Sequence, residues 1–275
     1  MEDRLITRNF SEYTNNRITS LNDYAFYNCT NLTSIDLPKC TSIGGSAFYS
    51  CYNLTSIDFS KCTFIGSSAF YSCTNLTSIN FSMCTFIGGS AFYDCSSLTT
   101  INLPKCTSIG SSSAFANCTS LTSIDLPECV NVGYYTFDDC SNLTSVNLPK
   151  CIALDGNAFA YCSNLISVSL PECKSIYYAA FIGCNNLPSI SLPKCTYITT
   201  EAFRGCYNLS QIYLMNSSVC ALTDTLAFYS TPFGHYSSYF SGTPYIYVPA
   251  SLVDAYKSAP TWSGYLSSYI SAYNG

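Results

Sequence analysis

Charge is scarce in this sequence: Asp, Glu, Lys and Arg together make up 10% of its 275 residues, against about a quarter in an ordinary globular domain. With 11 basic residues and a formal net charge of −5, it lacks the clustered Lys/Arg surface that phosphate neutralisation requires, which opposes nucleic acid and anionic membranes as partners. Histidine occurs once, at His235 in the Gly/Ser/Pro-rich stretch "STPFGHYSSYF" with Ser237 and Ser238 nearby. No recognisable spacing gives it a nucleophile and a third, orienting group, so catalysis is not expected. No C-x-x-C occurs, and one histidine cannot complete a mixed metal-ligand set, so neither metal nor cofactor is expected. Phosphate-binding glycine loops are missing as well. No apolar run approaches the roughly 18 to 20 residues that span a bilayer. Met1-Glu2-Asp3-Arg4 opens without the apolar stretch of a signal peptide, so any export signal is expected to lie outside this chain.

What the sequence has is repetition. Leucine recurs at 32, 54, 76, 98, 121, 143, 165, 187 and 209, in steps of 22 residues with a single step of 23. Phenylalanine keeps the same beat from Phe26 to Phe203. The odd step falls at Ser111-Ser112-Ser113, where one additional residue is expected to be absorbed in a loop. Within "LTSIDLPKCTSI", Leu32, Ile35, Leu37, Cys40 and Ile43 follow the L-x-x-L-x-L-x-x-N/C form of a leucine-rich repeat. Period-two alternation around Ile35 predicts a short half-buried strand. Pro38 ends it. "SAFYSCYNL" then spaces Ala47, Phe48, Cys51 and Leu54 by three and four, predicting one helical or 3₁₀ turn. Neither half can bury its single apolar edge alone, so consecutive units must stack.

Cysteine is the oddest part of the unit. One file runs Cys40, Cys62, Cys84, Cys106, Cys129, Cys151, Cys173, Cys195; the other follows each Phe by three residues, from Cys29 to Cys206. Together they hold 17 of the 18 cysteines, with Cys220 left outside. Stacking spaces neighbours by about 4.8 Å with Cβ atoms aimed the same way, a poor geometry for disulfides. Buried free thiols acting as small apolar residues are the expectation, and so many of them suggest a reducing or anaerobic setting.

The unit "LTSIDLPKCTSIGGSAFYSCYN", with its phrase SIxxxAFxxCxxLxSIxLP, resembles the BspA-type leucine-rich repeat over roughly residues 18 to 230. "LITRNFSEYTNNRITSLNDYAF" is similar to the lead-in of such arrays in Firmicutes, and "YIYVPASLVDAYKSAPTWSGYLSSYI" to their closing cap. The resemblance implies a non-enzymatic recognition or adhesion module at a bacterial surface, here as part of a longer, displayed or secreted protein. It transfers no binding residue.

The expected fold is therefore an α/β repeat solenoid, a right-handed leucine-rich-repeat superhelix of about nine units with parallel strands on one face and caps at both ends. Residues 1–17, with Leu5, Ile6, Phe10 and Tyr13, are read as an amphipathic capping helix, 18–214 as the array and 215–275 as an irregular last repeat and cap. Ser251 is the expected N-cap of a helix through Tyr256, with Pro260 as its stop and Trp262, Tyr265, Leu266, Tyr269 and Ile270 packing a final turn.

Two outward files are candidate surfaces for an unidentified protein or glycan. The first is a polar strip on the expected concave sheet, Asp36, Asp58, Asn80, Asn102, Asp125 and Asn147, continuing to Ser169, Ser191 and Tyr213. The recurrence of Asp36, Asp58 and Asp125 at one repeat position marks a surface file, not a catalytic pair. The second is Tyr27, Tyr49, Tyr71 and Tyr93, for which half-buried packing is the plainer reading. Asn31, Asn53 and Asn75 form N-x-S/T sequons whose periodicity points to turn chemistry. A passive spacer or an intracellular scaffold is the alternative role.

Overall fold

In the computed structural model, residues 12–234 and 243–273 are described; His235, Ser237 and Ser238, along with Leu5, Ile6 and Phe10, lie outside that range. The 22-residue phrase closes into stacked coils, each with two short strands. In the second coil they are Ser34–Asp36 and Ser42–Ile43, and ten such couples run from Glu12–Thr14 with Ser20–Leu21 to Gln211–Tyr213 with Ala221–Leu222. We number these coils 1 to 10. Every pairing is parallel and in register, for example Ile35↔Ile57↔Ile79↔Ile101. Parallel strands thus line two sides of the coil.

The third side, expected to hold a helical turn, is a different structure. Ser46 and Ser50 adopt left-handed backbone (φ 52° and 56°), and their equivalents do so through the array, from Tyr24 and Asn28 to Glu201 and Gly205. Left-handed backbone costs roughly 1 to 2 kcal/mol at an L-residue. The return is a third ladder. Ser46, Phe48 and Ser50 donate their N–H groups to Ser67, Ala69 and Tyr71 of the next coil (2.9, 2.7 and 2.8 Å), while Tyr49 and Cys51 bond back within their own coil. A helix would direct all of these donors along its own turn. The alternation sends half of them up the stack.

The extra serine leaves its mark on only two of the three ladders. Both strand ladders break between coils 5 and 6, giving a five-stranded and a seven-stranded sheet on one side and two five-stranded sheets on the other. The turn ladder runs through, with Phe92→Ala114, Phe115→Thr136 and Asn117→Asp138 at 2.7 to 2.8 Å. Inside it, ten phenylalanines from Phe26 to Phe228 stack ring on ring; Phe92–Phe115 sits at 5.1 Å and Phe115–Phe137, which crosses the break, at 5.4 Å. The Phe file is therefore the continuous spine.

The ends depart from expectation in three places. Glu12–Thr14, assigned to a capping helix, is a strand paired with Ser34–Asp36, so stacking begins inside the stretch read as a cap. Ser251 is not an N-cap: Pro249 (φ −52°) opens a 3₁₀ turn over Ala250–Leu252, and the helix Val253–Ser258 follows directly with Leu252 before it. Residue 259 is extended, because the ring of Pro260 disfavours helical backbone in the residue before it. Finally, Ile270, read as part of a final packing turn, opens a strand, Ile270–Ala272, which closes the stack by pairing onto the last strand of the array side, Tyr245–Val248. Trp262 Nε1 donates to the Cys220 carbonyl (2.7 Å) and Tyr256 Oη accepts from the Cys220 N–H (2.9 Å), tying this cap to coil 10.

Candidate recognition surface

All 18 cysteines are free and buried, and the two files have different roles. In the strand-side file each thiol donates to the carbonyl two residues ahead, as Cys62 to Phe64 (3.1 Å) and Cys129 to Asn131 (3.2 Å). In the turn-side file each thiol from Cys51 to Cys206 donates to the phenylalanine carbonyl of the coil before, as Cys51 to Phe26 (3.1 Å) and Cys140 to Phe115 (3.2 Å). A small apolar residue with one weak donor fits both places. Cys220, expected outside, continues the strand-side file after a longer step, its Sγ donating to Cys195 Sγ at 3.8 Å. Burial pushes Cys51 and Cys173 up to about 12 and Cys129 to about 11, and holds Cys73, Cys95 and Cys118 well above the ordinary range. Cys195 is shifted down because it accepts the Cys220 S–H. Apart from that pair, these thiols are neutral structural groups near neutral pH. Among the described residues no group of three or more His, Cys, Asp or Glu side chains can hold a metal ion, and no helix is long and apolar enough to cross a membrane.

The polar strip lies on the outer face of the first-strand ladder. Asp36, Asp58, Asn80 and Asn102 are exposed and follow one another in register. Asp125 and Asn147 are also exposed and in register, but belong to the next sheet, so the ladder break divides the six residues four and two. Within the file, Asn102 Nδ2 donates to Asn80 Oδ1 (3.2 Å) and Asn147 Nδ2 to Asp125 Oδ1 (2.9 Å). Beyond Ser191 the strip turns aromatic: Tyr213 and Tyr247 are paired in register and stacked at 4.9 Å, with Tyr273 edge-on to both. Tyr247 and Tyr273 escaped the sequence reading because they lie outside the 22-residue beat; the alternation of "YIYV" was the available signal for the first.

Three residues past the strip runs a file of long side chains. Lys39, Lys61 and Lys105 are exposed in the early coils, whereas Glu128–Lys150 and Glu172–Lys194 form ion pairs at 2.6 Å in the later ones. Exposed pairs of this kind are worth at most about 1 kcal/mol, so their effect is to cancel charge on that flank.

The tyrosine file of the early coils is self-absorbed. Tyr27, Tyr49, Tyr71 and Tyr93 stack at 5.1, 4.6 and 4.7 Å, and all but Tyr27 are half-buried. The sequence reading missed the tyrosines of coils 6 to 8. Tyr134, Tyr135, Tyr161, Tyr177 and Tyr178 are all exposed at the corner and turn after the second strand. The signal was their position: Tyr134 and Tyr178 stand where coils 2 to 4 carry Gly45, Ser67 and Gly89. The asparagines of the sequons bond between coils, Asn53 Nδ2 to the Thr30 carbonyl (2.7 Å) and Asn75 Nδ2 to Asn53 Oδ1 (3.5 Å), a structural use of these side chains.

Comparison with known proteins agrees with this architecture. The family model described as "BspA type Leucine rich repeat region (6 copies)" matches residues 9–119 and 107–232. Solved structures with a similar course include a leucine-rich repeat protein of T. pallidum, 30% identical over 62% of this chain and 72% of that one (TM-score 0.49). A leucine-rich repeat protein from Bacteroides ovatus is 21% identical over 97% and 85% (TM-score 0.46), and a leucine rich cell surface protein from Faecalibacterium prausnitzii is 20% identical over 81% and 86% (TM-score 0.37). No curated protein matches the chain. With the family model spanning most of its coils, the chain belongs to the BspA-type leucine-rich-repeat family.

Proposed function

We propose that this chain is a non-enzymatic recognition module that binds a protein or glycan at a bacterial cell surface, through the polar strip of the first-strand ladder. The observation that carries the reading is the register. Four coils in succession present short hydrogen-bonding groups, Asp36, Asp58, Asn80 and Asn102, at one strand spacing, about 4.8 Å, on a rigid backbone. Groups held in this way lose little entropy when a partner binds. Membership in a family of repeat proteins supports a binding role, since a solenoid offers a long side surface and no enclosed cleft.

A passive spacer is the second reading, favoured by the amide bonds that Asn80, Asn102, Asp125 and Asn147 make to one another. Binding arrays of matrix proteins and glycans separate the two. Recognition through the strip predicts a ligand signal that Asp58→Arg and Asn80→Arg each abolish; a signal indifferent to both removes the strip from consideration.

A further inference from the structure

Tyr134 and Tyr161 are held in the same unusual way. A Cβ built on Gly156, one coil beyond Tyr134, would lie 3.3 Å from both Cδ1 and Cε1 of its ring. A Cβ built on Gly183, one coil beyond Tyr161, would lie 2.7 Å from that ring's Cδ1. Each tyrosine therefore rests one flank of its ring on the backbone of a glycine 22 residues ahead. Each still keeps more than half of its surface open, 53% and 55%. The early tyrosines spend their faces on one another; these two have no ring partner among the described residues.

We propose that Tyr134 and Tyr161 are stacking platforms for the sugar rings of a neutral glycan, a binding surface along the turn side of coils 6 and 7 separate from the strip. One face of a pyranose is lined with C–H hydrogens of slight positive charge, which meet the electron-rich face of a tyrosine, and its rim carries hydroxyl donors. A carboxylate lies in the coil adjoining each platform, an acceptor for those hydroxyls. Asp139 precedes Tyr161 by one coil in the same file, and Asp155 adjoins the glycine under Tyr134. Both rings are backed by backbone, so they are presented at little entropic cost.

Charge selects among ligands. Asp138, Asp139 and Asp155 lie around the platforms, and the nearby Arg204 is engaged with Glu201 at 2.7 Å, so an acidic polysaccharide is repelled. An uncharged, hydroxyl-rich chain fits what remains.

The inference rests on the recognition reading but uses a different surface, so the test carries both. The full chain is run in affinity gels containing a mixed-linkage β-glucan, a glucomannan or an α-glucan, with heparin and a fluorescent oligo-arginine peptide as charged probes. Retardation by at least one neutral polymer is expected, weakened at least tenfold by Tyr134→Ala and by Tyr161→Ala, restored by Tyr134→Trp, and unchanged by Asp58→Arg. Circular dichroism confirms that each variant is folded. No retardation by any of the three neutral polymers, or retardation that survives the double alanine variant, overturns the platforms. Binding of oligo-arginine alone overturns them in favour of a cation site. Binding lost in Asp58→Arg but kept in the tyrosine variants overturns the platforms while upholding the strip.

Discussion

In coils 2 to 4 the tyrosines lie ring on ring and the corner after the second strand is glycine, whereas in coils 7 to 9 Tyr177 and Tyr197 meet only edge-on, at 6.2 Å, and the same corner carries Asp155, Tyr177 and Thr199. The corner bond is the same in both. Gly88 donates to the Ile65 carbonyl at 2.8 Å and Tyr177 to that of Leu154 at 3.0 Å. What changes is the approach of the backbones. A Cβ on Gly66, Gly88 or Gly110 would come within 2.3 to 2.6 Å of backbone atoms in the coil before, while on Gly133, just past the extra serine, the nearest such atom is 3.1 Å away. Past the added residue the array thus goes from corners closed to side chains, through the looser glycine corner of coil 6, to corners that display them from coil 7 onward. The interior beneath is shared.

The sharing itself gives the largest expected effect. A buried thiol that ionises at about 11 to 12 folded, against about 8.5 unfolded, keeps its proton in the native state while the unfolded chain loses it. Its stabilisation is complete below about pH 8.5 and is lost as pH rises, by about 1.4 kcal/mol per pH unit for each thiol. Cys51, Cys62, Cys106, Cys129 and Cys173 titrating together in the unfolded chain would by themselves remove about 7 kcal/mol in one unit, comparable to the whole stability of a domain. Both halves should therefore unfold together between about pH 9 and 10.5, as followed by circular dichroism; two separated transitions would mean that the halves do not share one interior.

Next in size is Gly88→Ala, whose Cβ would meet the Ser67 nitrogen at 2.4 Å. It should destabilise by about 3 kcal/mol in urea unfolding, whereas Tyr177→Ala at the same corner of coil 8 should change stability by less than about 0.5 kcal/mol. Equal effects would erase the contrast between the corners. A smaller difference is electrostatic. In the file that holds Tyr27 to Tyr93, coil 6 has Asp138, raised to about 6 by burial and then by Asp139. The folded state binds this proton more tightly than the unfolded chain does, so stability should fall as pH rises from about 4 to 6. Asp138→Asn should flatten that slope, and the change should stay under about 1 kcal/mol because the group is half exposed. Smallest is Ser68→Gly, which relieves a left-handed residue (φ 55°) and should stabilise by about 0.5 kcal/mol, with Ser68→Val destabilising in the same assay.

Much of this was legible beforehand. Leu, Phe and Cys at fixed steps of 22 gave the stacking, the parallel strands and the burial of both thiol files, because each unit has one apolar edge and no other way to cover it. The helical turn was misread since spacings of three and four also suit a left-handed turn whose donors point along the stack, and a pattern of side chains does not show where an N–H is aimed. The strip was legible as alternation; its division between Asn102 and Asp125 was not, because a serine inserted on one side of a coil gives no hint that the ladders on two other stretches will part.

The sequence by itself determined the interior of this protein, since a periodic set of apolar residues admits a single way to leave water. Tertiary structure decided the exterior: whether two tyrosines stack on each other or a tyrosine rests on a glycine depends on how closely residues 22 apart approach along the axis. That distance is set by backbone packing between coils and is written in neither residue alone.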